Sequence, residues 1–414
     1  MGSGKMSRAA AKDSTLWSAS AESKQARSTP APNQTLMTVA IVYHFLPHYR
    51  AGIFLKLLES TKYHYIFVAG HNNLAPSIPE WQVPDRTRFV EAKCNWICRP
   101  WFYQEGLAKL ALRKDISAII YLGAPYSIST WYSAILGRLT GKTILFWTHG
   151  WLAKQGWLRD AMKKRFMCLA DIVLLYGERA KTLGEGMGLS SDRMLVIHNS
   201  LDYVRQKKIR EGLCDQDLID LRLRMFGDSN TPYAICTARL TRECDLELLL
   251  SAQAILRRNN KFVNVVLVGD GPEREKLETL AKSESLPVVF LGACYDEAIL
   301  APLIRAANVT VSPGKVGLTA IHSLTYGTPV ITHDDPSRQG PEVEAIVPDQ
   351  NGDLFRYGDA EDLARLIWKW CDRSWPDPKL RARCYEVIER HYNPASQAQV
   401  IEYALSRKTI REAK

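Results

Sequence analysis

Residues 265–273 read VVLVGDGPE, an apolar run that ends in a Gly-rich turn and continues into a Pro-Glu pair. A short run of β-branched and aliphatic residues is typical of a buried parallel strand. Gly269 and Gly271 permit a tight turn and the close approach of a ligand, and Pro followed by Glu suits the first turn of a helix. The stretch therefore predicts a strand, a tight turn and a helix, the repeating unit of a doubly wound parallel sheet.

The same alternation extends outward in both directions. In the second half, strands are predicted at 233–237, 265–269, 288–291, 309–312 and 329–332, with helices at 245–258, 272–283, 298–307, 318–326 and 360–372. In the first half, strands are predicted at 37–43, 65–69, 118–122, 143–148, 172–176 and 193–198, with helices at 50–60, 127–140 and 158–168. The pattern predicts an α/β protein with two Rossmann-like domains that face a cleft, where ligands bind at the carboxyl ends of the strands.

The domain boundaries follow from this pattern and from the length of 414 residues, which is more than one core usually supports. Residues 1–34 are polar and predict a disordered tail without a secretory signal. Residues 35–205 form the predicted first domain, 206–232 a linker with a helix, and 233–392 the second domain. Residues 393–414 are expected to contain a last helix, at about 395–411, that packs back on the first domain.

Composition favours a cytoplasmic protein with an anionic partner. The nine cysteines form no CxxC pair and are interpreted as reduced thiols, without a metal site. No run of 18 apolar residues occurs. Residues 35–205 carry 21 Lys and Arg against 12 Asp and Glu, whereas residues 206–414 carry 28 against 30. A basic first half suits a membrane surface, a diphosphate-bearing acceptor or nucleic acid.

Three further segments of the second half are candidates for an anion site. Residues 312–319 (SPGKVGLT) repeat the strand, turn and helix pattern, and Lys315 and Thr319 lie near the open N–H groups of the helix start. Residues 238–242 (ARLTR) place Arg239 and Arg242 after another strand, and arginine can bind phosphate oxygens in bidentate fashion. Residues 341–346 (PEVEAI) supply carboxylates for sugar or ribose hydroxyls.

These segments, in this order and spacing, resemble the C-terminal domain of glycosyltransferase family 4. The motifs are ARL, LVGDGPEREKLE, SPGKVGLTAIHSLTYGTPVI, a Glu-rich loop and NGDLF. THG at 148–150 and IHNSLD at 197–202 resemble family elements of the first half. The resemblance implies the GT-B fold, a nucleotide-sugar donor such as a UDP- or GDP-sugar held mainly by the second domain, retention of anomeric configuration, and no required cofactor or metal.

The resemblance also implies residue roles. Arg239 is similar to the diphosphate-binding arginine, the amides of residues 315–318 to the phosphate-binding turn, and His149 to a histidine that reaches the reacting sugar. Glu344 aligns with a donor-binding glutamate, and Glu342 is a close rival. The predicted catalytic residues are His149, Arg239 and His322. The predicted donor site comprises Arg239, Arg242, Gly269, Gly271, Gly314, Lys315, Val316, Gly317, Leu318, Thr319, His322, Glu342 and Glu344.

Three positions depart from the family pattern and identify a variant subgroup. The family's second phosphate-binding lysine falls on Cys244, and the two glutamates of its E-x7-E pattern fall on Gly314 and His322. Arg242 and Lys315 are both candidate replacement cations, and His322 can still bond a ribose hydroxyl. Without a carboxylate nucleophile, we expect front-face attack, with the departing diphosphate stabilised by Arg239, a second cation and the helix start.

The acceptor is expected on the first domain. His48, Tyr49 and Arg50 follow the first strand and are candidate acceptor-binding residues. Residues 151–165 (WLAKQGWLRDAMKKR) combine tryptophan with basic residues, which suits an anionic membrane interface, unless the apolar face of that helix packs on the sheet. The sequence predicts transfer to a saccharide or lipid-linked acceptor. Transfer to modified DNA bases and a non-catalytic nucleotide-sugar-binding protein are the alternatives.

Overall fold

The computed structural model describes residues 36–71, 78–153 and 155–412, and the predicted tail at 1–34 lies outside them. Within these residues, the first half contains strands β1 (Met37–Val42), β2 (Tyr63–Ala69), β3 (Phe89–Glu91), β4 (Cys94–Cys98), β5 (Trp101–Gln104), β6 (Ile116–Leu122), β7 (Thr143–Thr148), β8 (Ile172–Leu175) and β9 (Met194–Val196). Its helices are α1 (Ala51–Leu58), α2 (Leu107–Leu112), α3 (Ile128–Leu139), α4 (Trp157–Met167) and α5 (Glu178–Gly186).

Two helices, α6 (Tyr203–Gly212) and α7 (Asp215–Phe226), connect the halves. The second half contains strands β10 (Tyr233–Thr237), β11 (Asn264–Val268), β12 (Val288–Gly292), β13 (Val309–Ser312), β14 (Val330–His333) and β15 (Gly352–Phe355). Its helices are α8 (Leu246–Arg258), α9 (Arg274–Ser283), α10 (Glu297–Ala306), α11 (Leu318–Thr325), α12 (Ala360–Cys371), α13 (Pro378–Arg390) and α14 (Pro394–Glu412).

The described strands form two parallel sheets, which confirms the predicted α/β class. The first has the order β3-β2-β1-β6-β7-β8-β9 and the second the order β12-β11-β10-β13-β14-β15, while β4 and β5 form a separate antiparallel hairpin. Every strand pair within the two large sheets is parallel. Parallel strands need crossover connections, and the helices that provide them cover both faces of each sheet.

Both faces of each sheet are buried because successive side chains point to opposite sides. Val39 and Ile41 of β1 pack in a core that includes α1, whereas Ala40 and Val42 pack in a second core with α2, α3 and α4. Helix α14 contributes Ile401 to the core under α1. In the second sheet, adjacent residues of β10 likewise enter two different cores.

The predicted strands and helices are confirmed, with ends that differ by no more than two residues. The prediction of one helix between the two domains is wrong, because α6 and α7 both form there. Asp202 caps α6 by accepting a hydrogen bond from the N–H of Arg205 at 3.3 Å. The sequence pattern did not predict β3, β4, β5, α2, α5, α13 and β15. No helix within the described residues has the length and apolarity needed to cross a bilayer.

Candidate active site

A cavity of about 720 Å³ lies where loops of the two sheets meet. The first half contributes His48, Tyr49, Ile78, Pro79 and Leu201 to its wall. The second half contributes loops after β10, β11 and β12 and the first residues of α11. Of the predicted donor residues, those that line this cavity are Arg239, Gly269, Gly271, Leu318, Thr319 and His322.

The wall of the cavity is partly backbone because the glycine turn at residues 269–271 packs against the loop of residues 238–240. A Cβ on Gly269, whose φ is +148°, would lie 1.8 Å from the carbonyl oxygen of Ala238. A Cβ on Gly271 would lie 2.3 Å from the carbonyl oxygen of Leu240. The N–H of Leu240 donates to the carbonyl of Asp270 at 3.1 Å and fastens the loop to the turn. Only glycine fits these two positions, and the cavity gains room for a ligand against the main chain.

Arg239 supplies an available cation on this cavity. Its side chain is exposed, and among the described residues its guanidinium has no hydrogen-bond or ion-pair partner. Helix α11 begins beside it, and the first N–H groups of a helix have no acceptor within the helix. The hydroxyl of Thr319 donates to the carbonyl of Thr237 at 3.0 Å, which ties the start of α11 to the end of β10. An unpaired guanidinium and a helix start on one cavity suit an anionic ligand.

The turn at residues 314–317 is held by a side chain that the sequence did not single out. Gln339 is buried, and its Oε1 accepts a hydrogen bond from the N–H of Val316 at 2.8 Å. Its Nε2 donates to the hydroxyl of Thr332 and to the carbonyl of His333, both at 2.8 Å. The amide of Val316 is therefore engaged within the protein. Val316 thus has no free N–H for the phosphate-binding role that the sequence predicted. Gly317, at the helix start, stays half-exposed.

Arg242 and Lys315, the two candidate replacement cations, line a different cavity of about 770 Å³. Gly314 lines it as well, and a Cβ on Gly314 would lie 2.1 Å from the carbonyl oxygen of Glu243. Lys315 also faces a third, smaller pocket of about 220 Å³, which it shares with His149 and Lys163. Lys315 is thus the candidate cation that also reaches the side of the cleft where His149 lies.

His149 follows β7 and remains accessible in this smaller pocket. Its ring centroid lies 4.6 Å from that of Tyr176. Loss of hydration among the surrounding protein atoms, together with the positive charges of Arg50, Lys315 and Lys163, lowers the pKa of His149 to about 4. The imidazole is therefore neutral at pH 7, and it can orient a hydroxyl or accept a proton without carrying a charge.

The predicted acceptor residues separate in the structure. His48 and Tyr49 line the 720 Å³ cavity, but Arg50 points into the first domain with 5% of its surface exposed. Its Nη2 donates to the hydroxyl of Tyr176 at 2.5 Å, and its guanidinium lies 5.3 Å from the ring centroid of Trp147. A buried position among aromatic rings makes Arg50 a support for this wall of the cleft.

Both carboxylates of the Glu-rich loop contact the first half of the chain. Glu342 is buried, and its Oε1 accepts from Nδ2 of Asn199 at 2.7 Å. Glu344 accepts from the N–H groups of Glu178 and Arg179, at 2.7 and 2.9 Å. The sequence analysis assigned these two carboxylates to hydroxyls of the nucleotide sugar. In the structure, both accept hydrogen bonds from groups of the protein.

Glu297 is the cavity residue that the sequence analysis missed. It is the first residue of α10, and its Oε1 accepts from His322 Nε2 at 2.7 Å, from the Tyr326 hydroxyl at 2.5 Å and from Gln206 Nε2 at 3.2 Å. His322 lines the cavity with it. The signal was present, since Asp296-Glu297 follows β12 in the same way that the other site segments follow their strands.

Metal-ligand clusters are absent from the described residues, since no three His, Cys, Asp or Glu side chains meet there as ligands would. Asp334 and Asp335, the adjacent acidic pair, serve local structure. Asp334 accepts from the N–H of Tyr357 at 3.0 Å, and Asp335 accepts from the hydroxyl of Ser337 at 2.7 Å.

Comparison with solved structures identifies the architecture. Anabaena HepE in complex with UDP superimposes with a TM-score of 0.67 at 16% identity, covering 90% of this chain and 100% of that one. The lipopolysaccharide outer core galactosyltransferase WaaB superimposes with a TM-score of 0.64 at 15% identity, again covering 90% of this chain and 100% of that one. The fold is GT-B. At these identities, the likeness concerns the fold alone.

Sequence comparison finds a family match in the second half of the chain. Residues 225–391 match the family described as glycosyl transferases group 1. The chain is 24% identical over 237 residues, 55% of its length, to alpha-D-kanosaminyltransferase of Streptomyces kanamyceticus, and covers 56% of that relative. It is 26% identical over 163 residues, 38% of its length, to alpha-monoglucosyldiacylglycerol synthase of Streptococcus pneumoniae, and covers 35% of that relative. The matched stretches thus span about half and about a third of these relatives.

Proposed function

We propose that this GT-B protein is a glycosyltransferase that moves a sugar from a nucleotide-diphosphate sugar to a saccharide or lipid-linked acceptor. The observation that carries the proposal is the unpaired guanidinium of Arg239 on the 720 Å³ cavity, which the start of α11 and the glycine turn at residues 269–271 also line. A diphosphate is bound by groups of this kind, namely a cation, open N–H donors and close access to the main chain. UDP in the neighbour HepE and the glycosyltransferase names of the relatives support the same donor class.

The residues divide into roles along the cleft. Arg239 and the start of α11 stabilise the charge that develops on the departing diphosphate, which is the largest contribution such a site offers. Lys315 adds a second cation on the side of His149, and the neutral His149 orients the donor sugar. We infer a retaining, metal-independent transfer by front-face attack, in which a phosphate oxygen of the leaving group takes the proton of the acceptor hydroxyl.

The acceptor enters from the first domain, where His48 and Tyr49 line the cavity. The relatives are named alpha-D-kanosaminyltransferase and alpha-monoglucosyldiacylglycerol synthase, and both a saccharide and a glycolipid acceptor are consistent with these names. We infer that the acceptor hydroxyl lies between these two residues and the pocket of His149.

The function is tested by nucleotide binding and turnover. We expect UDP or GDP to raise the melting temperature, because a ligand at 100 times its Kd adds about 2.7 kcal/mol of stability. Arg239→Ala should weaken that nucleotide by about ten- to a hundredfold, since a charged hydrogen bond contributes about 1.5–3 kcal/mol. Arg224→Ala, on the exposed face of α7, is the control that keeps full affinity.

Release of the nucleoside diphosphate from a nucleotide sugar then separates an enzyme from a binding protein. If a nucleotide binds but no diphosphate is released with any saccharide or lipid acceptor, the non-catalytic alternative is favoured. If neither UDP nor GDP binds, the proposed function is wrong.

A membrane-facing role for the first domain rests on helix α4. Its second half packs inward, with the ring of Phe166 stacked 4.5 Å from that of Phe146. Its first turn projects Trp157 and Leu158, which are 79% and 64% exposed, next to the exposed Arg159. We propose that this turn inserts at the interface of an anionic membrane.

Vesicle sedimentation checks the membrane proposal. Binding to phosphatidylglycerol vesicles should exceed binding to phosphatidylcholine vesicles, and replacing both Trp157 and Leu158 by alanine should abolish it. Replacing the exposed Leu223 of α7 by alanine is the matched control. Equal binding by the Trp157/Leu158 variant and the wild type would exclude α4 as the contact.

A further inference from the structure

The carboxylate of Glu297 is bonded asymmetrically on the wall of the 720 Å³ cavity. Three donors, His322, Tyr326 and Gln206, all reach Oε1. Among the described residues no donor reaches Oε2, and this atom is not among the buried unpaired ones. One oxygen is therefore saturated by the protein, and the other keeps its lone pairs available to the cavity.

The surroundings keep this carboxylate ionised. Burial alone would raise the pKa of Glu297, but the hydrogen bonds and charge of His322 and the hydrogen bonds from Tyr326 and Gln206 lower it to about 2. An ionised carboxylate only accepts hydrogen bonds, so Nε2 of His322 is the donor in their 2.7 Å contact. The free oxygen therefore accepts from a hydrogen-bond donor such as a hydroxyl, and it repels phosphate.

The wall of the cavity consequently carries groups of opposite charge. Arg239 and the start of α11 attract negative charge, whereas Glu297, at the start of α10, excludes it. A nucleoside diphosphate has the same polarity, with charged phosphates joined to a ribose that carries two adjacent hydroxyl donors. A carboxylate at the start of a helix in a Rossmann-like sheet is well placed to accept from a ribose hydroxyl.

We propose that Glu297 binds the 2′,3′-diol of the nucleotide ribose through Oε2, and that His322 acts by positioning Glu297. This assignment rests on the proposed nucleotide-sugar function and deepens it, because it requires a ribonucleotide donor. His322 and Tyr326 are successive partners on one face of α11 and its C-terminal end, and together with Gln206 of α6 they fix the carboxylate in one orientation. The cluster around Glu297 thus determines which ligand binds, and it also links helices α6, α10 and α11.

The test separates the ribose-binding role of Glu297 from its structural role by comparing ligands as well as protein variants. Calorimetry would measure the Kd of UDP and GDP and of their 2′,3′-dideoxy analogues for the wild type, Glu297→Gln, Glu297→Asp and Tyr326→Phe. The wild type should prefer the ribonucleotide about tenfold, the effect of a charge-assisted hydrogen bond. Glu297→Gln should reduce this preference to about twofold or less and leave the affinity for the dideoxy nucleotide unchanged. Tyr326→Phe, which removes one donor to Oε1 and keeps the carboxylate, should retain the preference.

Each other outcome would overturn the assignment of Glu297, the proposed function or both. A purely structural Glu297 would weaken both nucleotides equally, and that result would overturn the assignment. Equal affinity of the wild type for ribo- and dideoxynucleotide would also overturn it while leaving the proposed function intact. Failure of the wild type to bind either ribonucleotide would reject the proposed function and the assignment together. If Glu297→Gln does not fold, Glu297→Asp provides the comparison, and it should lose part of the preference because its carboxylate is one methylene further from the ligand.

Discussion

Glu344 caps helix α5 across the cleft, with its Oε1 accepting a hydrogen bond from the N–H of Arg179 at 2.9 Å. Its Oε2 accepts from the N–H of Glu178 at 2.7 Å. Glu344 and Arg179 are 165 positions apart in the sequence. Arg179 belongs to the half of the chain that forms the first sheet, and Glu344 to the half that forms the second. Because helix α5 starts with unpaired N–H groups, a carboxylate from the other half satisfies them and lies at the favourable end of the helix dipole. The contact therefore holds the two halves in one arrangement.

Removing this carboxylate should destabilise the protein. Glu344→Ala leaves two N–H groups of α5 without their acceptor, and we expect the free energy of unfolding to fall by about 1–3 kcal/mol. Denaturant unfolding followed by circular dichroism measures the change. Glu284→Ala, at an exposed position after α9, is the control and should change stability by less than about 0.5 kcal/mol. A Glu344→Ala protein as stable as this control would show that water replaces the contact without cost.

Gly314 should not accept a side chain. A Cβ there would lie 2.1 Å from the carbonyl oxygen of Glu243 and 2.9 Å from the Cα of Cys244, so the main chain would have to move. We expect Gly314→Ala to lower the free energy of unfolding by about 1–3 kcal/mol, the usual cost of overpacking. Gly186→Ala is the matched control, because no atom lies within 4 Å of its Cβ position. Equal melting temperatures for the two variants would contradict this steric account.

The sequence predicted the fold well because periodicity reports burial. The apolar run of β11 and its glycine turn are local signals, and they correctly predicted a strand, a tight turn and a helix. Elements with weak periodicity were missed, for instance β4, where the burial pattern is mostly exposed, and the polar helix α6. Such elements are stabilised by contacts distant in sequence, which a local pattern does not contain.

The site could be predicted only as far as strand ends determine it. Arg239, Gly269 and Gly271 follow strands, and they do meet at one cavity. The partners of individual polar side chains could not be predicted, because they depend on tertiary contacts. Arg50 donates a hydrogen bond to Tyr176, and Glu344 accepts hydrogen bonds from the first N–H groups of α5. The position of Glu297 after β12 was a local signal, but the three donors that surround its carboxylate could not be predicted for the same reason.

Acidification should destabilise the protein in part through His44. Its half-buried ring meets Phe102 at a centroid distance of 4.4 Å, and burial lowers its pKa to about 4. The unfolded chain, with a histidine pKa of about 6.5, binds the proton more tightly than the folded protein between these two values. Protonation therefore favours unfolding, and this group's contribution is lost as the pH falls from about 6.5 to about 4.

His44→Gln removes this titration and should make the free energy of unfolding less sensitive to acid. Between pH 7 and pH 4.5 we expect it to fall by about 2 kcal/mol less in the variant than in the wild type. Denaturant unfolding at several pH values measures the difference, and the interval from pH 7 to pH 8.5 is the internal control because His44 is neutral in both states there. Parallel pH profiles for the two proteins would mean that the ring of His44 is hydrated and titrates normally in the folded state.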